Sequence, residues 1–210
     1  MSGLKGFFLV AVAAALVAAG CGAERAGQPE ARAETAPKRA CPAALRAGWQ
    51  RLADRVDAPV YCPGWLPYPL TGQIGGPTSD INSVDPDRSY LIGFLHKERE
   101  EEIHVNLRGY PGRTRIPTCI DTRVGAGRTH RVKVPCFADL RTTKRFGALK
   151  ISVYTVNRDA DAWHVLYAWP YRGSLYALSE HVAPPYASYR RVVANLDRIM
   201  RNLALVEPRA

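Results

Sequence analysis

The sequence lacks the short motifs that mark the common enzyme classes. It contains no G-x-S-x-G, no H-E-x-x-H, no P-loop and no G-x-G-x-x-G pattern, so hydrolase, zinc-peptidase and nucleotide-binding signatures are all missing. It also has no C-x-x-C pair, and its cysteines therefore give no support to a zinc site. We predict no catalytic residue, no metal ligand and no cofactor, and we predict that the chain is not an enzyme.

The N-terminal apolar run is too short to cross a membrane. Phe7 to Val17 reads FFLVAVAAALV, whereas a spanning helix needs about 20 apolar residues. One positive charge, Lys5, precedes this run, and small residues follow it. This order is typical of a secretory signal peptide, so residues 1–20 are predicted to be removed on export.

The residue after the predicted signal peptide indicates which kind of exported protein this is. Ala18-Ala19-Gly20-Cys21 resembles the bacterial lipobox, with Ala18 in place of the usual leucine. The resemblance implies that Cys21 is acylated, carries palmitate and diacylglycerol chains, and anchors the protein in the lipid bilayer, since two or more chains anchor stably. The predicted location is the extracytoplasmic face of a cell membrane. The alternative is an ordinary secretory signal with a chance cysteine.

The segment after the anchor is predicted to be a disordered tether. Residues 21–40 are rich in Ala, Glu, Arg and Pro, and residues 22–39 have no aromatic or large aliphatic side chain. Such a segment cannot bury enough apolar surface to offset its ordering entropy. As a flexible chain of about 18 residues it would span about 25 Å.

The chain carries an excess of positive charge. It has 29 basic and 19 acidic residues, and loss of residues 1–20 removes only Lys5 from this balance, which leaves +9 of the original +10. A basic protein at a membrane attracts anionic lipid or anionic wall polymer, whereas nucleic acid is not expected as a partner at this location. The alternative is that arginine serves as a solubilising residue.

Four cysteines remain after the anchor: Cys41, Cys62, Cys119 and Cys136. An even number in an exported chain indicates disulfides, and four cysteines allow three pairings. We favour Cys41–Cys62 and Cys119–Cys136, because loops between neighbours in sequence cost the least entropy to close.

Residues 41–210 are predicted to form a single α+β domain. Helical apolar spacing covers residues 43–56 and residues 186–203. Short strands are predicted at 60–62, 70–74, 89–96, 102–107, 119–124, 129–134, 148–156, 162–169 and 174–182, and a long polar loop at 75–88. Strands between two terminal helices indicate an antiparallel sheet covered by those helices, here stapled by the disulfides.

Two stretches resemble known lipoprotein domains. Val60-Tyr61-Cys62-Pro63, followed by Trp65-Leu66-Pro67, is similar to the P-x-x-L-P entry of an uncharacterised domain of bacterial surface lipoproteins. Trp169-x₃-Gly173-x₂-Tyr176-x-Leu178 and the final helix resemble the closing hairpin and helix of that domain. The layout is also similar to lipoproteins related to the PsbP/Mog1 fold. Neither resemblance implies a catalytic residue.

The region of the last two strands holds the most reactive side chains. Ser179 and His181 would share one strand face while Glu180 points away, so they form no catalytic relay. If Trp169 pairs with Ser174, His164 and His181 become diagonal neighbours about 7–8 Å apart. Two imidazoles could help to hold a metal, but no third ligand is evident, and a solvated or hydrogen-bonded face is the expected interpretation.

Other polar and aromatic clusters are predicted to be structural. Asn157, Asp159 and Asp161 fail the calcium-loop pattern, because Ala162 and Ala168 stand where glycine and glutamate belong. The polar loop at 75–88 is likewise predicted to be structural rather than a calcium site; its polar residues are Asp80, Asn82, Asp85 and Asp87. The aromatic residues near the last hairpin are expected to fill the core; they are Trp163, Tyr167, Trp169, Tyr171 and Tyr176.

The closing helix has one face that is predicted to be cationic. Tyr189, Val192, Leu196 and Ile199 should face the sheet, while Arg191, Asn195, Arg198 and Asn202 line the outer face with Arg190 and Arg201 nearby. Such a face could contact anionic lipid or wall polymer; an ordinary solvated face is the alternative.

These observations favour a non-enzymatic module that binds or senses a component of the cell envelope. One alternative is a carrier that holds a hydrophobic ligand between sheet and helix, and another is a hydrolase.

The anchor is testable by one substitution. Cys21→Ala removes the acylated thiol, so partitioning of the protein into a detergent phase should vanish. Continued partitioning of the variant would refute the lipoprotein interpretation.

Overall fold

The structure is a computed structural model that describes residues 39–125, 127–159 and 163–209. The predicted signal peptide, Cys21 and all but the last two residues of the predicted tether lie outside the described residues. The described chain forms these elements in order: α1 (Ala43–Val56), β1 (Val60–Pro63), β2 (Ser79–Val84), β3 (Tyr90–Glu98), β4 (Glu101–Tyr110), β5 (Thr118–Gly125), β6 (Arg128–Pro135), β7 (Phe137–Phe146), β8 (Leu149–Asn157), β9 (His164–Tyr171), β10 (Ser174–His181), α2 (Tyr189–Arg201) and β11 (Leu203–Val206).

Seven of the strands form one sheet, in the order β2-β3-β4-β10-β9-β8-β7. All of its strand pairs are antiparallel. Two smaller pairs complete the fold: β1 pairs with β11, and β5 with β6. The α+β prediction of an antiparallel sheet with an N-terminal and a C-terminal helix is confirmed. In the described chain, neither helix is long and apolar enough to cross a membrane.

One face of the sheet carries the main core, because alternate residues of each strand point to that side. The central strands contribute Tyr167, Trp169 and Leu178, which are all at most 1% exposed. Trp49 of α1 and Leu196 of α2 pack into the same cluster. We call this side the helix face and the opposite side the outer face.

The apolar stripes of both helices are largely confirmed. The stripe of α1 buries Trp49, Leu52 and Val56, and that of α2 buries Val192, Leu196 and Ile199. Tyr189 departs from the prediction, since it is 43% exposed. It is the first residue of α2, just after Ser188, whose hydroxyl caps the helix by accepting from the Arg191 backbone N–H.

Several predicted boundaries are wrong at the edges of the fold. The predicted strand at 70–74 is a loop: Gly72 adopts a φ of +70°, and its carbonyl accepts from the Trp49 indole. The polar segment 75–88 contains edge strand β2, and edge strand β7 was not predicted. The helix predicted at 186–203 covers only Tyr189–Arg201, and residues 203–206 form β11, which pairs with β1.

Both predicted disulfides are present. Cys41–Cys62 joins the start of α1 to β1, with a Cα–Cα distance of 5.7 Å. Cys119–Cys136 closes the base of the β5–β6 hairpin, with a Cα–Cα distance of 4.9 Å. That base packs on the outer face through Cys136 and the half-buried Cys119, against the small cluster that contains Leu166.

A polar network fixes α2 to the sheet. The Lys144 ammonium lies 2.7 and 2.9 Å from the two carboxylate oxygens of Asp197. The Tyr167 hydroxyl donates to the same carboxylate at 2.6 Å. These groups join β7, β9 and α2, and both charged side chains are about three-quarters buried. Hydrogen bonds to charged groups stabilise more than neutral ones.

Removal of this carboxylate should destabilise the fold. Asp197→Ala leaves an ammonium and a hydroxyl without their common acceptor, so the free energy of unfolding in urea should fall by about 1–3 kcal/mol. The matched control is Asp121→Ala on the β5–β6 hairpin, where the partner is the exposed Arg123; a change below about 0.5 kcal/mol is expected there. Equal effects of the two substitutions would contradict a stabilising network.

Candidate functional site

The register of the β9–β10 hairpin differs from the predicted register. Tyr171, not Trp169, pairs with Ser174, and His164 therefore pairs directly with His181. The connection is a two-residue turn, Arg172-Gly173, in which both φ angles are positive (45° and 77°). Tight turns of this kind match the twist of the flanking strands. The two histidines are thus direct cross-strand neighbours rather than diagonal ones.

A third histidine joins them from the adjacent strand. β4 pairs with β10 so that Val105 lies opposite Glu180, and His104, the preceding residue, comes beside His181 on the outer face. His164 is 1% exposed, whereas the side chains of His104 and His181 are 15% and 18% exposed. His104, His164 and His181 are called the three-histidine cluster.

The rings of the three-histidine cluster are in contact. The ring centres of His164 and His181 are 5.1 Å apart with nearly parallel planes. Those of His104 and His164 are 5.4 Å apart and nearly perpendicular. Glu102 closes the group, since its Oε1 lies 2.9 Å from Nδ1 of His181 and 3.9 Å from Nδ1 of His104.

The carboxylates beside the cluster give it a negative rim. The hydrogen bond from His181 lowers the pKa of Glu102, partial burial opposes this, and the nearby His104 and Lys97 favour the ionised form further. Asp80 of β2 approaches from the other side, with Oδ2 3.9 Å from Nε2 of His104. A cation among the rings would therefore be stabilised.

Ser179 contacts the cluster without the geometry of a nucleophile. Its hydroxyl lies 3.2 Å from Nδ1 of His164, and both residues are 1% exposed. In a serine hydrolase the base takes the proton through Nε2 while Nδ1 contacts an acid. Here a buried serine occupies Nδ1, an arrangement that positions a ring rather than activating a hydroxyl.

Glu180 points to the helix face, as predicted. It is 1% exposed, and its Oε1 accepts from the Asn195 amide at 2.8 Å. Burial raises the pKa of Glu180 to about 8, although the hydrogen bond from Asn195 acts in the opposite direction. Asn195 therefore turns toward the sheet and does not lie on the outer side of α2, which corrects the predicted face.

The predicted cationic residues of α2 are exposed. They are Arg190, Arg191, Arg198 and Arg201. The Arg198 guanidinium also stacks on the Trp65 ring, 4.0 Å from its centre. These four residues are called the arginine face.

The other predicted clusters have structural contacts. Asp159 accepts from Arg108 and from the Tyr110 hydroxyl, each at 3.0 Å, while Asp161 lies outside the described residues. The Asp85 and Asp87 carboxylates accept from Ser89 within a turn. Tyr167, Trp169 and Tyr176 fill the core, as expected. Trp163 does not, since it is 72% exposed.

A second group of metal-ligand types does not form a metal centre. Cys119, Cys136 and Asp159 bring their donor atoms within 4.8 Å of one another. The two cysteines are joined in a disulfide, however, and metal coordination by cysteine requires the thiolate.

An open cleft of about 600 Å³ lies on the outer face, beside the β5–β6 hairpin. Leu175, Ala168 and Ile116 supply apolar lining, and Arg115 and Lys133 supply positive charge. This cleft lies away from the space between helices and sheet, which Trp49, Phe94 and Trp169 fill.

Comparisons of the chain with protein-family models, curated proteins and solved structures found no match. The resemblance to lipoprotein domains stays a prediction, and a functional proposal has to rest on the residues themselves.

The buried Glu180 predicts a pH-dependent stability. The folded state holds this proton more tightly than the unfolded chain, whose glutamate has a pKa near 4.5. The free energy of unfolding should therefore fall as pH rises from about 4.5 to about 8, by up to about 1.4 kcal/mol per pH unit. Glu180→Gln cannot ionise, so it should remove this slope and be more stable than the wild type at pH 8.

Urea unfolding at a series of pH values measures this difference. The matched control is Glu98→Gln, because the Glu98 side chain is 72% exposed and should leave the slope unchanged. A slope in Glu180→Gln equal to that of the wild type would show that Glu180 does not titrate in this range.

Proposed function

We propose that the chain is a lipid-anchored extracytoplasmic module that binds or senses a component of the cell envelope and does not catalyse a reaction. The observation that carries the proposal is the order of its parts: a signal-like segment, Cys21, a polar tether and then a disulfide-bonded domain. Stable disulfides are typical of proteins in oxidising compartments outside the cytoplasm, which supports export.

The arginine face is the proposed contact with the anionic envelope. The sequence of α2 holds four arginines and a single acid, Asp197. Because Lys144 pairs with Asp197, this carboxylate offsets little of the positive charge of the four arginines. An exposed surface of this sign attracts anionic lipid or wall polymer, by about 1 kcal/mol for each basic residue near the membrane.

The positions of Arg190 and Arg191 strengthen this proposal. Both lie in the first turn of α2, where the positive end of the helix dipole disfavours cations by about 0.3–1 kcal/mol. Arg198 and Arg201 lie in the last turn, where the dipole favours them. The helix dipole therefore does not stabilise Arg190 and Arg191, as expected if these two residues bind a partner outside the fold.

The alternative functions have less support. A carrier with its ligand between sheet and helix would need space where the core residues Trp49 and Trp169 pack. A hydrolase that uses Ser179 would need access to a hydroxyl that is 1% exposed and contacts Nδ1 of His164.

The arginine face can be tested with vesicles and the soluble part of the chain, residues 39–210. Binding should require anionic lipid and should fall with added salt, because screening acts beyond roughly 8 Å at physiological ionic strength. Arg190→Gln with Arg191→Gln should weaken binding about five- to thirty-fold in a vesicle sedimentation assay.

The matched control removes the same charge elsewhere. Arg128→Gln with Arg131→Gln changes two exposed arginines of β6 and should weaken binding much less. If both double variants bind equally, net charge rather than the arginine face governs the interaction. If the wild type does not bind vesicles that contain anionic lipid, the membrane-contact part of the proposal is wrong.

A further inference from the structure

We propose that His104, His164 and His181 form a binding site for a divalent transition metal of the class that prefers imidazole ligands, with Zn²⁺ as the representative ion. The three-histidine cluster lies on the outer face of the sheet, whereas α2 packs on the helix face and exposes its arginine face to solvent. The inference therefore goes beyond the proposed envelope contact and does not depend on it.

The spacing of the rings suits one shared ion. Zn–N bonds are about 2.0–2.1 Å, so two imidazoles on one tetrahedral ion place their ring centres roughly 5 Å apart. The observed separations are 5.4 Å for His104 and His164 and 5.1 Å for His164 and His181. Three adjacent strands, β4, β10 and β9, hold these residues on one face, and a rigid scaffold of this kind positions ligands precisely.

In two of the rings, an oxygen atom lies within hydrogen-bond distance of one nitrogen. The Ser179 hydroxyl lies at Nδ1 of His164, and the Glu102 carboxylate lies at Nδ1 of His181. Metal-binding histidines characteristically use one ring nitrogen for the ion while the other donates to a carboxylate, a backbone carbonyl or water. In this arrangement both rings would coordinate through Nε2, with Ser179 and Glu102 as positioning residues.

One ring must turn when an ion binds. The planes of His164 and His181 are parallel within 4°, and two stacked rings cannot both direct a nitrogen at one ion. The torsion between Cβ and the ring is broad for histidine, and His181 lies on the solvent side of the pair. We expect the His181 ring to move and the buried His164 ring to stay in place.

Charge and access also favour a cation. Glu102 and Asp80 place two carboxylates within 3.9 Å of His104, which offsets the charge of a divalent ion. His104, His181 and Glu102 are each 15–21% exposed, so their side chains are partly accessible to an ion from solution.

The test is zinc titration of the full-length chain, purified in detergent without a polyhistidine tag and stripped of metal. Calorimetry should show one saturable site for Zn²⁺ and none for Mg²⁺, which prefers oxygen ligands. His104→Gln and His181→Gln should each weaken binding at least about tenfold, and Glu102→Gln about ten- to hundred-fold. The matched control is His130→Gln, on the exposed β6 strand, which should leave the affinity unchanged.

A second measurement needs no variant. In NMR spectra of the wild type, the imidazole signals of His104, His164 and His181 should shift together on addition of one equivalent of Zn²⁺, while those of His96 and His130 stay in place. No saturable binding by the wild type would overturn the proposal. Equal affinity in the double variant His104→Gln with His181→Gln, or shifts confined to His96 or His130, would also overturn it.

Discussion

The two-residue turn at Arg172 and Gly173 sets the register of the central hairpin, and much of the molecule depends on that register. Because side chains alternate along a strand, a slip of one residue would move every side chain of β9 or β10 to the other face. With the observed pairing, Tyr167, Trp169 and Leu178 enter the core under the helices. The same pairing aligns His164 with His181 on the opposite side. Core and candidate metal site are thus two consequences of one turn.

The sequence predicted the elements whose pattern is local and strongly apolar. Both helices, the central strands and the disulfide pairing follow from spacing alone, and the structure bears them out. The edge strands β2 and β7 were missed because a strand with one free side and an exposed face needs few apolar residues. β11 was missed because it continues a helical apolar pattern and becomes a strand only by pairing with β1, which is a long-range contact.

The candidate metal site was missed for a similar reason. His104 stood in the sequence as one polar residue of a half-buried strand, about 60 and 80 positions before the other two histidines. The predicted pairing of Trp169 with Ser174 also made His164 and His181 diagonal neighbours. Only the order β4-β10-β9 brings all three together, and no periodicity within a single strand reports which strand lies beside it. The sequence-based expectation of no metal ligand was therefore formed without the strand order that places the three rings side by side.

The choice of ligand fits the proposed location outside the cytoplasm. In an oxidising compartment cysteines tend to be consumed as disulfides, and the group formed by Cys119, Cys136 and Asp159 illustrates this, since its sulfurs are bonded to each other. Histidine keeps its coordinating nitrogen under the same conditions. The two faces of the sheet can then have different functions. On the helix face, α2 packs its apolar side chains against the core and directs its arginines to solvent. The outer face carries polar residues that do not contribute to the main core. Because the central strands belong to both faces, their apolar residues stabilise the core while the alternate positions carry the ligands of the proposed ion site.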